Sequence, residues 1–111
     1  MKVRTITLTL HRDDEETDEQ FAKWGNDYIT FVYYCAAKTM EKNSEVGVQV
    51  TLNFSGDPSD MDTITIQFLN HENDSDHPNI KKAALDFNSF IAARDYLDKD
   101  TGYLCRATKA N

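Results

Sequence analysis

Long apolar runs are missing from this chain of 111 residues. Nothing in it approaches the ~20 consecutive apolar residues that carry a helix across a bilayer, and Met1 to Leu10 alternates instead of building the apolar segment of a secretory leader. The expectation is a cytoplasmic protein. Proline and glycine are sparse, at two and four residues, and the hydrophobic share is 40%, so the composition excludes a disordered or linker-rich chain. There is no internal repeat and no low-complexity segment, which leaves one domain spanning residues 1–111.

Cysteine is limited to Cys35 and Cys105, whose separation fits neither a metal-ligand spacing nor a disulfide framework. Two buried thiols are expected rather than a bridge. Basic residues are few: 12 Lys and Arg against 19 Asp and Glu, a net charge of −7. Direct nucleic-acid binding draws much of its affinity from phosphate neutralisation by Lys and Arg, and anionic membranes are read by the same side chains, so both partners are disfavoured. Catalytic signatures are absent too. The sequence has no glycine-rich phosphate loop, no Cys-x-x-Cys, no paired His at helical spacing and no nucleophile elbow, and no cofactor is implied. His71 and His77 flank Glu72, Asp74 and Asp76, but the stretch lacks the ordered ligand positions of a calcium loop and reads as a solvated connection, not a metal site.

What is present is periodicity. From Thr17 to Lys42, Phe21, Trp24, Tyr28, Phe31, Val32, Cys35, Thr39 and Met40 recur three or four apart, the core stripe of one long amphipathic helix. Thr17 and Gln20 have the spacing of a capping box at its start. Ile6, Leu8 and Leu10 alternate with Thr5, Thr7 and Thr9, the period of a half-buried strand. Val46, Val48, Val50, Leu52 and Phe54 repeat that pattern, as do Ile64, Ile66 and Phe68, and a Gly, Pro, Asp and Ser-rich turn between the two predicts a hairpin with one dry face. Pro78, capped by Asp76 or His77, opens a second helix with Ile80, Ala83, Ala84, Phe87, Phe90, Ile91 and Leu97 at helical spacing, ending at 98–100 before Gly102. A last strand is expected at 103–108.

The order βαββαβ predicts an α+β two-layer sandwich of ferredoxin-like topology, with a four-stranded antiparallel sheet covered on one face by two helices. Right-handed crossovers give the spatial order 4-1-3-2. The other face then carries Thr, Gln and Asn rather than the aromatics on which RNA-recognition domains stack bases, and it is available to a second copy of the chain.

That topology brings three acidic segments to one end of the domain: Asp13, Asp14, Glu15, Glu16, Asp18 and Glu19; Asp57, Asp60 and Asp62; and Asp98 and Asp100. Only Arg12 and Lys99 offset them there. Like charges so gathered cost stability and create a negative field beyond what solubility needs. The leading expectation is a non-catalytic module whose acidic end, joined by an exposed Tyr34, engages a basic protein. In its sharper form it is an inhibitor that occupies the nucleic-acid-binding site of a partner by imitating phosphate charge, as a small phage or mobile-element protein would. The alternative is a small dimeric enzyme, cofactor-free or metal-dependent, with Trp24, Tyr28 and His11 lining a cavity between sheet and helices.

Overall fold

The computed structural model describes residues 3–10, 17–54, 62–93 and 107–110, the last of these as backbone. Helix α1, Asp18–Lys42, begins where the sequence signals it. The Gln20 N–H donates to the Thr17 hydroxyl at 3.2 Å and the Thr17 N–H donates to the Gln20 side-chain oxygen at 3.0 Å, so two donors orphaned by the first turn are satisfied reciprocally. Asp18 and Glu19 lie in the first turn and Lys42 in the last, each sign at the helix end whose dipole favours it. Tyr28, Phe31, Val32, Cys35 and Ala36 form the buried stripe. Thr39 is buried with them because its hydroxyl donates to the Cys35 carbonyl at 2.8 Å, leaving no polar hydrogen unsatisfied. Met40, expected in the core, is instead 39% exposed: steps of three and four that start from Phe21 drift round the helix, and by Met40 they have left the buried stripe.

The sheet is built on three long antiparallel strands, β1 (Arg4–Leu10), β2 (Gly47–Asn53) and β3 (Asp62–Leu69), with β3 between the other two. Ile6, Leu8 and Leu10 lie level with Ile66, Ile64 and Asp62, and Val48, Val50 and Leu52 with Phe68, Ile66 and Ile64, so the apolar sets share one face. A short strand, β4 (Ala107–Ala110), lies antiparallel to the far side of β1, with Ala110 opposite Leu8, Ala107 opposite Leu10 and a register shift between. The final-strand expectation at 103–108 overlaps the description only at its end, and the expected helix end at 98–100 lies outside the described residues.

Helix α2, Pro78–Ala93, is capped by His77, whose ring Nδ1 accepts the Asn79 N–H at 3.1 Å. Pro78 takes the first helical position, where a missing N–H costs nothing. Its stripe of Ile80, Ala83, Ala84, Phe87 and Ile91 is buried, and the Phe87 ring meets Phe68 edge-on with centroids 5.7 Å apart. Both helices cover the same sheet face, α1 against β2 and α2 against β3 and β1, while also packing on each other. The chain is thus a small α+β domain with a three-stranded antiparallel sheet and two helices.

The dry face of the hairpin needs a correction on β2. Val48 and Val50 are only half-buried, Leu52 is 39% exposed and Phe54 50% exposed, because β2 is the edge of the sheet and α1 covers it incompletely. Cys35 is a buried free thiol, and burial pushes it up to about 12. The thiolate is the nucleophile, so Cys35 in the native protein is expected to resist a thiol-selective alkylating reagent at pH 8 and to react once urea unfolds the chain. Mapping the alkylated peptide checks this; rapid native-state labelling of Cys35 would place it outside the core. Cys105 lies outside the described residues, which leaves the expected pair of buried thiols established at Cys35 alone.

Candidate functional site

The end of the sheet at which β1 stops is also where β2 stops and β3 starts, since Leu10 is opposite Asp62 and Asn53 opposite Thr63. Helix α1 runs from this end toward the other. Its last residues lead through Asn43 and Val46 into Gly47, which is paired with Leu69 at the opposite sheet end. Twenty-five residues at about 1.5 Å each extend roughly 37 Å, against roughly 23 Å for a seven-residue strand, so the amino end of α1 reaches the Leu10 end and overhangs it. Asp18, Glu19 and Asp62 therefore share one end of the domain. Asp18 and Glu19 are exposed, and Asp62 is half-buried at the first position of β3. Asp13, Asp14, Glu15, Glu16, Asp57, Asp60, Asp98 and Asp100 lie outside the described residues, as do Arg12, Lys99 and His11.

Tyr34 is not part of that end. It stands sixteen residues beyond Asp18, about 24 Å along the helix axis. Exposed at 42%, it belongs to a different cluster: the Lys38 ammonium sits 5.3 Å from its ring centre and 4.5 Å from that of Phe90, with Lys42 5.6 Å from Phe90. The contacts to Phe90 tie α1 to α2, and Lys38 is shared between Phe90 and Tyr34. Tyr28, suggested as a cavity lining, is 2% exposed and packs beside Phe31 with centroids 6.2 Å apart, as a core residue does.

The opposite end carries the hydrogen-bond network that the sequence did not announce. Asn43, buried at the carboxyl end of α1, donates from its side chain to the Thr39 carbonyl at 2.9 Å and to the Asp86 carboxylate at 3.0 Å. Its side-chain oxygen accepts from Lys82 at 3.2 Å, and Lys82 closes the triangle on Asp86 at 2.9 Å. The hydrogen bonds from Asn43 and then Lys82 hold the Asp86 carboxyl below its ordinary value. The network joins the end of α1 to the middle of α2 and is structural. The signals that could have found it are spacings of four, Thr39 to Asn43 and Lys82 to Asp86.

At the same end the connection 70–77 folds on its own side chains. Asn70 accepts from the Glu72 and Asn73 N–H groups, Asn73 takes a φ of 50°, and Arg4 donates from Nε to the Ser75 carbonyl at 3.1 Å. Since His77 Nδ1 accepts a hydrogen bond, the ring proton sits on Nε2, which lies 3.6 Å from Glu72. Glu72 also lies 3.6 Å from the exposed His71. No group of three or more His, Cys, Asp and Glu that could hold a metal ion occurs among the described residues.

The open sheet face carries three transverse rows: Thr5, Gln67 and Gln49; Thr7, Thr65 and Thr51; Thr9, Thr63 and Asn53. Asn53 donates to Thr63 and Thr65 at 3.2 and 2.9 Å. These rows contain no aromatic ring and no charge, so the stacking and phosphate contacts of single-stranded RNA recognition have nothing to act through there. Among the described residues, no helix is long and apolar enough to cross a membrane. No family model matches the chain, and no curated protein and no solved structure matches it either.

Proposed function

We propose that the chain is a non-catalytic, acidic protein-binding module, of ferredoxin-like βαββαβ arrangement once β4 is counted in the sheet, and that its acidic end engages a basic groove on another protein. The observation that carries this reading is the meeting of Asp18, Glu19 and Asp62 at the end where β1 and β2 both stop. In sequence, the segment between β1 and α1 carries Asp13, Asp14, Glu15 and Glu16, and the segment between β2 and β3 carries Asp57 and Asp60. Helix-dipole compensation explains acids in the first turn of α1 but none at the start of β3 or between the hairpin strands. A basic groove that recognises closely spaced carboxylates is chemically one that recognises phosphates, so the partner is a nucleic-acid-binding enzyme or complex and the module acts by occupying that groove.

The test is association with the protein captured by the immobilised chain from extract of its source cells, measured as salt is varied. Electrostatic steering raises on-rates by roughly 10- to 1,000-fold and is screened beyond about 8 Å at physiological ionic strength. The triple reversal Glu15→Lys, Glu16→Lys, Asp57→Lys is expected to lower the on-rate at least about tenfold at low salt, with a smaller change in off-rate and a nearly unchanged melt. The captured protein should also be displaced by competing nucleic acid. The control reverses Glu41, Glu72 and Asp76, exposed acids toward the opposite end. Equal weakening by both reversals, or by neither, would reduce the acidic end to a solubility feature.

A further inference from the structure

Six large hydrophobic residues are exposed among those described, and four of them border one edge: Leu52 on β2 and Phe54 just past its end, Tyr33 and Met40 on α1. The geometry places them together. Lys38 and Lys42 turn to Phe90 of α2, so the opposite flank of α1, where Ile29, Tyr33 and Met40 follow at helical spacing, faces the β2 side of the domain. The strand below them is an outermost strand of the sheet, and every second N–H and C=O along its outer side has no neighbour within the sheet.

Edge strands are ordinarily blunted by charge, proline, a bulge or shortness. Gly47–Asn53 has seven residues, no charge and no proline, and keeps an unbroken register with β3. In a chain of net charge −7, that is the part of the surface where a second equally acidic copy meets no opposing charge.

We propose that the β2 edge is a homodimer interface, in which two copies pair β2 with β2 antiparallel about a two-fold axis through Val50. The strand is self-complementary in that register. Val50 meets its own copy and Val48 meets Leu52 on the helix side, while Gln49 meets Thr51 and Gly47 meets Asn53 on the open side. Both helical layers then lie on the same side of one continuous sheet, and the flanks bearing Tyr33 and Met40 close over the joint. The edge is roughly 23 Å long, which puts the interface in the class below about 1,200 Å², so the dimer forms on the order of 100 µM chain rather than at nanomolar levels. This inference is independent of the acidic-end reading, because it uses none of those carboxylates.

Sedimentation velocity and light scattering on the full chain from about 10 µM to about 1 mM test it. The weight-average mass is expected to climb from 12.7 kDa toward twice that value. Leu52→Lys and Tyr33→Glu, on separate elements, should each hold the protein monomeric at concentrations where the parent dimerises, with far-UV circular dichroism confirming that both are folded. Leu85→Lys, on α2 at a residue 68% exposed, and Thr7→Lys, on the open sheet face, should leave the dimer intact. A monomer throughout the range overturns the proposal. A dimer abolished by Thr7→Lys but kept by Leu52→Lys and Tyr33→Glu also overturns it, in favour of face-to-face pairing of the sheets.

Discussion

Truncating Phe68 to alanine is expected to lower the free energy of unfolding by about 3–5 kcal/mol, against the roughly 5–15 kcal/mol that holds a domain of this size together. Phe68 is fully buried on β3, the strand flanked by both β1 and β2, and its ring is held by the edge of Phe87 from α2. A cavity at that position has a hydrogen-bonded sheet beneath it and a helix above, so the surroundings cannot collapse far and the lost contacts are not recovered. Leu52→Ala is the counterpart on the same face of the same sheet. Its side chain is already 39% in water, and the cost is expected to stay under about 1 kcal/mol. Urea unfolding at dilute concentration, where any self-association is absent, measures both. A Phe68→Ala midpoint equal to the parent's would show that the core is not where the burial pattern puts it. In the same assay Phe68→Ala and Phe87→Ala are expected to be less than additive, since each removes the other's ring contact.

Much of this fold was legible because its elements obey strong local rules. Thr17 and Gln20 gave the start of α1, alternation gave the faces of β1 and β3, and Pro78 narrowed the cap of α2 to Asp76 or His77, of which His77 serves. What escaped depends on the neighbours of an element rather than on its own pattern. Val48, Val50 and Leu52 alternate as cleanly as Ile64, Ile66 and Phe68, and only the sheet order shows that the first set lies on an edge and the second at the centre. Met40 fits a helical repeat yet stands off the stripe by the arc that separates a core residue from a rim residue. Asn43 is the C-cap of α1, and its role appears only when α2 is packed beside it. The acidic end was legible as composition, and its convergence needed topology. Asp18, Glu19 and Asp62 are the members whose common placement the fold describes.

The polar network between the helices sets the second large effect, and here pH provides the control. Asn43→Leu removes the side-chain donor to Asp86 and the acceptor for Lys82 in one step, while Lys82 and Asp86 keep each other and the Thr39 carbonyl keeps the Asn43 backbone N–H. What is lost is the pair of part-buried hydrogen bonds from Asn43 to charged groups, and the substitution is expected to cost about 1–2 kcal/mol at pH 7. The charge on Asp86 accounts for a definable share. Its carboxyl titrates below its ordinary value of 3.8 in the folded state because hydrogen bonds from Asn43 and Lys82 favour the ionised form. A depressed folded value means that the unfolded chain takes up the proton first as pH falls. The stability contributed by Asp86 is therefore complete above about pH 5 and disappears as pH drops through about 4 toward the folded value. The stability difference between the parent and Asp86→Asn should accordingly be level between pH 5 and pH 8 and shrink on going to pH 3. In an Asn43→Leu background the same comparison should show a smaller difference at pH 7 and a weaker slope, because the first of the two hydrogen bonds holding the carboxylate is already gone. Urea midpoints for the four proteins at pH 7, 4 and 3 decide it. An Asp86→Asn difference that is identical at pH 7 and pH 3 would mean that the side chain's packing, rather than its ionised hydrogen bonds, fastens α1 to α2.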